Sequence, residues 1–274
     1  MEKLKKAVSI LAAVMAMGSV CATGNFISAS AESENEKRYY DVPPLATTAN
    51  DSEWVEYTSV VETSVRLTGG MPIYYTSTLS NACGPVAGSI IVGYYDKYME
   101  ELVPNYSTAY ASGRFRPIDS THIPNLMQNL YSLMRTNVDD VGVSESDCLN
   151  GLASYVRGKG CTIEYTSLKG NIFSETGYIA AMSAMEPVLM FCDSVTLYDV
   201  YPSDTGTSIS RIAQSSNHIM VCSGYLQLQY YNGTNNFRTD IFLEARTGWL
   251  TGSVGYVKLG NASWIDSAYQ VSIY

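Results

Sequence analysis

Two side chains in this sequence have the chemistry for nucleophilic catalysis, and they stand far apart in the chain: Cys83 and His218. Cys83 lies in Asn81-Ala82-Cys83-Gly84-Pro85-Val86-Ala87-Gly88, where small residues open an apolar stretch. A thiol attacks carbonyl carbon only as thiolate, and a helix N-terminus favours the anion with unpaired N–H groups and about half a positive charge. Pro85 suits the first helical turn, because its missing N–H would have been unpaired there anyway. Val86, Ala87, Ile90, Ile91, Tyr94, Tyr95 and Tyr98 then predict a helix with one apolar face and the thiol at its tip. A Cys-Gly-Pro tripeptide alone fits a small buried cysteine equally well, so a base must be found.

The chain has two histidines. His122 follows Thr121 at the entrance of a second predicted helix and reads as a surface or capping residue. His218 begins the run His218-Ile219-Met220-Val221-Cys222-Ser223-Gly224-Tyr225, a predicted strand whose mouth can present a ring to a helix tip. Cys83 as nucleophile and His218 as general base is therefore the candidate pair.

The elements that must position them divide the chain by rhythm. Trp54 to Leu67 predicts one or two strands. Helices follow from Cys83, from about Pro124, from a capping-box-like Ser144-Glu145-Ser146-Asp147 to about Gly158, and from Ser174 to before Pro187. Strands are predicted at Cys161–Leu168, Val188–Cys192, His218–Gln229, Phe237–Arg246, Val254–Leu259 and Tyr269–Tyr274, with Asn232-Gly233-Thr234-Asn235 as a hairpin turn. Helices first and an antiparallel sheet afterwards predict an α+β fold.

The first 31 residues read as a signal peptide: Lys3, Lys5 and Lys6, then an apolar core from Ala7 to Ala22, then Ala29-Ser30-Ala31 as a cleavage site. The expected product is a secreted protein of about 243 residues with no stable membrane insertion after cleavage. Residues 32–64 read as a leader, linker or short pro-segment, and 65–274 as the domain. Losing three lysines and one glutamate takes the net charge from −9 to −11, which speaks against nucleic-acid binding. Five cysteines remain after cleavage, without C-x-x-C spacing, so no metal site, redox pair or cofactor is indicated. An odd number leaves at least one thiol unpaired. The other four fit two disulfides or buried reduced thiols.

Together, Cys83-Gly84-Pro85-Val86-Ala87, the Tyr94-Tyr95 pair, Glu186-Pro187-Val188-Leu189 and the run from His218 to Gly224-Tyr225 resemble papain-like cysteine peptidases of the bacterial C39-like and streptopain-like branches. The resemblance covers about residues 69–274. It implies a papain-like α+β fold, with an N-terminal helical half whose central helix carries Cys83 and a C-terminal antiparallel sheet carrying His218. It implies hydrolysis of a peptide or protein substrate through a Cys83 thioester, with His218 protonating the leaving amine. The oxyanion would be held by the Cys83 backbone N–H and a side-chain amide. Where the family has an upstream Gln, this chain offers Asn81. The family's Asn or Asp before Gly-Trp is replaced by Arg246, which has no acceptor for an imidazole N–H. Glu244 on the same strand face is the expected third catalytic residue, Thr247 a weaker one, and Trp249 a shield. Two other readings stay open: a catalytically impaired binding or adhesion module, and a cell-wall peptide amidase.

Overall fold

In the computed structural model the described residues are 36–40, 52–67, 70–106, 121–250 and 253–274. The predicted signal peptide lies outside them. A single compact unit takes in Lys37–Tyr274.

Four helices are formed among the described residues: α1 (Cys83–Asp96), α2 (His122–Leu133), α3 (Glu145–Gly158) and α4 (Glu175–Ser183). All four fall where the periodicity predicts them. Ser144 caps α3 by accepting from the Asp147 N–H at 3.1 Å, and Ser174 caps α4 by accepting from the Gly177 N–H at 3.1 Å. α1 departs from the expected one-faced pattern, because every one of its residues is buried. Its small residues allow this. A Cβ on Gly88 would lie 2.9 Å from Met134 Cε, and one on Gly93 2.5 Å from the Tyr74 hydroxyl, so neighbours close on the backbone itself. Val86, Ile90 and Ile91 are at most 1% exposed, and each such burial stabilises by about 1.5–3 kcal/mol.

The strands are β1 (Arg38–Tyr39), β2 (Ser52–Glu56), β3 (Ser59–Arg66), β4 (Val143–Ser144), β5 (Ile163–Ser167), β6 (Val188–Pro202), β7 (Gly206–Asn232), β8 (Asn235–Arg246), β9 (Val254–Lys258) and β10 (Ile265–Ile273). β1 pairs with β4, and the other eight form one antiparallel sheet in the order β2-β7-β8-β9-β6-β10-β5, with β3 also on β7. The sheet turns back on itself. β6 pairs with β7, β7 with β8, β8 with β9, and β9 with β6 again through Leu197 and Tyr198.

This corrects the expected papain-like layout of a helical half followed by a sheet. Strand makes up 44% of the described residues and helix 23%, and the sheet begins before the first helix. β2 and β3 fall largely in the Trp54–Leu67 stretch predicted as one or two strands, and they pair along the β7 register from Ser52↔Ser210 and from Ser59↔Tyr231. The physical reason is the length of β7. It runs 27 residues, so it offers edges to β2 and β3 as well as to β6 and β8. Residues 193–217 carry Ser, Thr and Gln at outward positions, which hides strand in a loop-like composition until a partner strand is present. Two apolar cores result: a large one between the helices and the sheet, and a smaller one of Val55, Tyr57, Val200, Ile209, Leu228 and Phe242.

Candidate active site

Cys83 is the first residue of α1. Its N-cap, Ala82, makes no side-chain capping bond and the first turn of the helix holds no acidic residue, so the helix's own residues do not offset its positive end. The chain enters the helix through Asn81, in the left-handed region at φ 53°, which a short amide side chain tolerates. Asn81 Nδ2 donates to Asn137 Oδ1 at 3.1 Å, and Asn137 Oδ1 also accepts from the Gly142 N–H at 2.6 Å. One of the two amide N–H bonds of Asn81 is thus spent on fixing the turn.

His218 reaches the site through a local break in β7. Asn217 has φ 48° in mid-strand. The ladder with β6 skips from Cys192↔His218 to Ser194↔Ser216. The freed groups at the break are taken up elsewhere: the Tyr40 N–H donates to Asn217 O at 2.9 Å, and the Asp193 N–H to Trp264 O at 2.9 Å. A left-handed residue in a strand swings the next residue out of the regular alternation, so the kink determines where the imidazole points.

The imidazole is fully buried, and its Nε2 lies 2.7 Å from the Thr247 carbonyl oxygen. A carbonyl oxygen only accepts. Nε2 therefore carries the proton, and in the neutral ring the lone pair is on Nδ1. Trp249 covers the ring at 4.7 Å between centroids and 36° between planes. The carbonyl is aimed by the loop after β8, where the Thr247 N–H donates to Ser253 O at 3.1 Å and the Trp249 N–H to Thr247 Oγ1 at 3.2 Å. Gly248 has φ 79°, and a Cβ there would sit 2.8 Å from Val86 Cγ1, so this loop rests on the first turn of α1. The residue after His218 does the same: Ile219 Cδ1 is 3.5 Å from where a Gly84 Cβ would be. The His218 strand and the Thr247 loop thus both close on the first turn of α1, the turn that Cys83 opens.

Glu244 is placed elsewhere. Its carboxylate pairs with Arg66 Nε at 3.0 Å and Arg246 Nη2 at 2.8 Å and accepts from Ser223 Oγ at 3.3 Å. The expected side-chain acceptor for the imidazole gives way to a main-chain one. Thr247 is the residue that sequence reasoning undervalued, because its contribution is a carbonyl and every residue has one; the Gly248-Trp249 pair was the available signal. Arg246, at the position where the resemblance implied an Asn, is engaged with Glu244. His122 lies at the start of α2 beside the Tyr106 ring, 6.1 Å between centroids.

None of Cys83, Cys148, Cys161, Cys192 and Cys222 is in a disulfide. Burial pushes the Cys148 and Cys192 thiols well up, and Cys222 up to about 12. Cys161 is also raised, by burial and by Glu101, to whose carboxylate its thiol donates at 3.7 Å. Those four are poor nucleophiles at neutral pH. Among the described residues no group of three or more His, Cys, Asp or Glu side chains is arranged to hold a metal ion, and no helix is long and apolar enough to cross a membrane. In comparisons with known proteins, no family model, no curated protein and no solved structure matches this chain.

Proposed function

We propose that the protein is a cysteine-type peptidase, exported from the cell, that hydrolyses amide bonds in peptides or proteins. The observation that carries this reading is the 2.7 Å contact of His218 Nε2 with the Thr247 carbonyl, beside a helix that starts at a cysteine. A histidine held with its lone pair on Nδ1 is prepared to accept a proton, and an uncapped helix start favours the thiolate that results.

In the reaction, Nδ1 takes the Cys83 proton and the sulfur attacks the substrate carbonyl carbon. The oxyanion is met by the Cys83 backbone N–H and by the second N–H of Asn81. Nδ1–H then protonates the leaving amine, and the C–N bond breaks to leave a thioester. A water, deprotonated by Nδ1, attacks the thioester and releases the acid, with the proton returned to sulfur. Throughout, the Thr247 carbonyl keeps the ring in place and accepts from the imidazolium, and Trp249 keeps water off that bond.

The test is alkylation followed by peptide mapping, run beside turnover on a mixed peptide library. Iodoacetamide is expected to modify Cys83 first in the native protein and to abolish hydrolysis, as is Cys83→Ala. Unmodified Cys83, or full hydrolysis by Cys83→Ala, would end the proposal. Cys83 is 2% exposed, so the labelling rate also reports how often its cover opens.

A further inference from the structure

The loop between α2 and β4 carries an amide that reaches the Cys83 turn from both sides. Asn137 has φ 60° and Gly142 φ 83°, and the Asn137 N–H donates to Gly142 O at 2.9 Å. Asn137 Oδ1 accepts from the Gly142 N–H at 2.6 Å and from Asn81 Nδ2 at 3.1 Å. Its Nδ2 donates to the Tyr131 hydroxyl at 2.6 Å and, on the other side, to Ser80 O at 3.3 Å and Ser80 Oγ at 3.4 Å. Both amide N–H groups and both lone pairs of the oxygen are engaged, so Asn137 has nothing left to offer a substrate. Upstream of Cys83 these bonds hold Ser80 and Asn81. Downstream, Gly142 leads into Val143, whose Cγ1 lies 2.8 Å from where a Gly84 Cβ would be.

We propose that Asn137 is a positioning residue for the hydrolysis: it fixes which way round the Asn81 amide sits, and so keeps an N–H of Asn81, rather than its oxygen, for the oxyanion. This rests on Cys83 being the nucleophile of a peptidase. A single backbone group sets the direction. The Gly142 N–H can only donate, so the Asn137 atom it meets is the oxygen, and the Asn81 atom that meets the same oxygen must be the nitrogen. Turned over, Asn81 would set its own oxygen against Asn137 Oδ1, lone pair to lone pair. Held as it is, Asn81 keeps its second N–H directed away from Asn137. A donor that is already aimed stabilises a developing oxyanion most, because no reorientation has to accompany the charge. Tyr131 and Ser80 hold the nitrogen end of Asn137, so the chain of bonds that aims Asn81 is anchored on α2.

The test is a double-mutant cycle on peptide hydrolysis by the full-length protein, with Asn81→Gly and Asn137→Gly, each of which keeps its left-handed backbone. Asn137→Gly is expected to lower kcat about tenfold or more while KM stays within about threefold. Because Asn137 acts through Asn81, the double variant is expected to be no slower than Asn81→Gly alone. A merely structural Asn137 would multiply its loss into both backgrounds. Should Asn137→Gly fail to fold, Tyr131→Phe takes its place in the cycle, since it removes one acceptor of the Asn137 amide and leaves every backbone bond; a loss in kcat of about threefold or more is expected there, again absent beside Asn81→Gly. Unchanged kcat in a folded single variant, or losses that multiply, overturns the proposal while Cys83-dependent hydrolysis by the parent stands. Hydrolysis that survives Cys83→Ala, or none by the parent, overturns the peptidase itself, and the role of Asn137 falls with it.

Discussion

Asn81 and Glu244 show how a residue's type and its work can part. Asn81 holds φ 53° and bonds Asn137, and the proposed chemistry asks its second N–H to meet an oxyanion. Asn81→Gly keeps the left-handed backbone while removing the amide, and with it both the Asn137 bond and the proposed oxyanion donor. With the amide in the oxyanion hole, kcat is expected to fall about 10²–10³-fold, while loss of the Asn137 bond costs only about 0.5–1.5 kcal/mol of stability; an unaltered kcat would confine Asn81 to the turn. Glu244→Gln is expected to do the reverse. It leaves Arg246 without its carboxylate partner, costing about 1–3 kcal/mol in a denaturant midpoint, while kcat/KM stays within a few-fold because Thr247 O orients His218. A large loss of kcat/KM in Glu244→Gln, at a temperature where the variant is folded, would restore Glu244 as the orienting group. Cys83 and His218 could be proposed from type and neighbours alone. The carbonyl that His218 meets could not, since no side-chain pattern encodes which carbonyl a fold turns inward.

Among the elements, α1 and β7 bear most of the positioning. α1 sits inside the molecule on glycines packed against their neighbours, whereas the glycine ending α3 is open, which gives a paired test. Gly93→Ala places a methyl 2.5 Å from the Tyr74 hydroxyl and 2.7 Å from its Cε2, and is expected to destabilise by about 1–3 kcal/mol. Gly158→Ala, at the end of α3 with nothing within 4 Å, is expected to stabilise by about 0.5–1 kcal/mol. Thermal melts of the two variants should move in opposite directions; a shift of the same sign would mean the packing around α1 is misread. In β7 the sensitive position is Asn217. Asn217→Val puts a β-branched side chain at φ 48°, where about 1–3 kcal/mol of strain is expected, and relaxation of that strain re-aims His218. Peptide hydrolysis should therefore fall further than stability does, with Asn217→Gly restoring much of it. Equal hydrolysis by folded Asn217→Val would show that the kink does not aim the ring. The helices were readable because their 3.6 periodicity and caps are local. The outer half of the β6–β7 hairpin was hidden because Ser, Thr and Gln between apolar residues become strand only against a partner.

The whole molecule should be sensitive to alkali in a way its acidic composition does not suggest. Burial raises the hydroxyls of Tyr94, Tyr95, Tyr165 and Tyr178 above their ordinary 10.0, and the thiols of Cys148 and Cys192 above 9.0. Tyr155 and Tyr230 are pushed up to about 12. Above about pH 9 the unfolded chain sheds protons that the folded one retains, so the unfolded state binds fewer and stability falls as pH rises. That stability is fully present below the unfolded values and is lost as pH climbs through 9 to 12. Urea midpoints at about pH 7.5, 9 and 10.5 should decrease in that order; a flat series would mean these groups are not held neutral by the fold.

Among the described residues, the four helices and most strand cores could be read directly from the chain, because they depend on local periodicity, capping and residue type. Tertiary structure was needed to show that the strands of residues 52–66 both pair with β7 and that the pairing from β6 through β9 returns to β6. It was needed as well to show that a backbone carbonyl meets His218 Nε2 and that the Trp54 indole covers Gly206. Each of those depends on which strand edge or loop finds which distant partner, and backbone hydrogen-bonding groups are the same at nearly every position of a sequence.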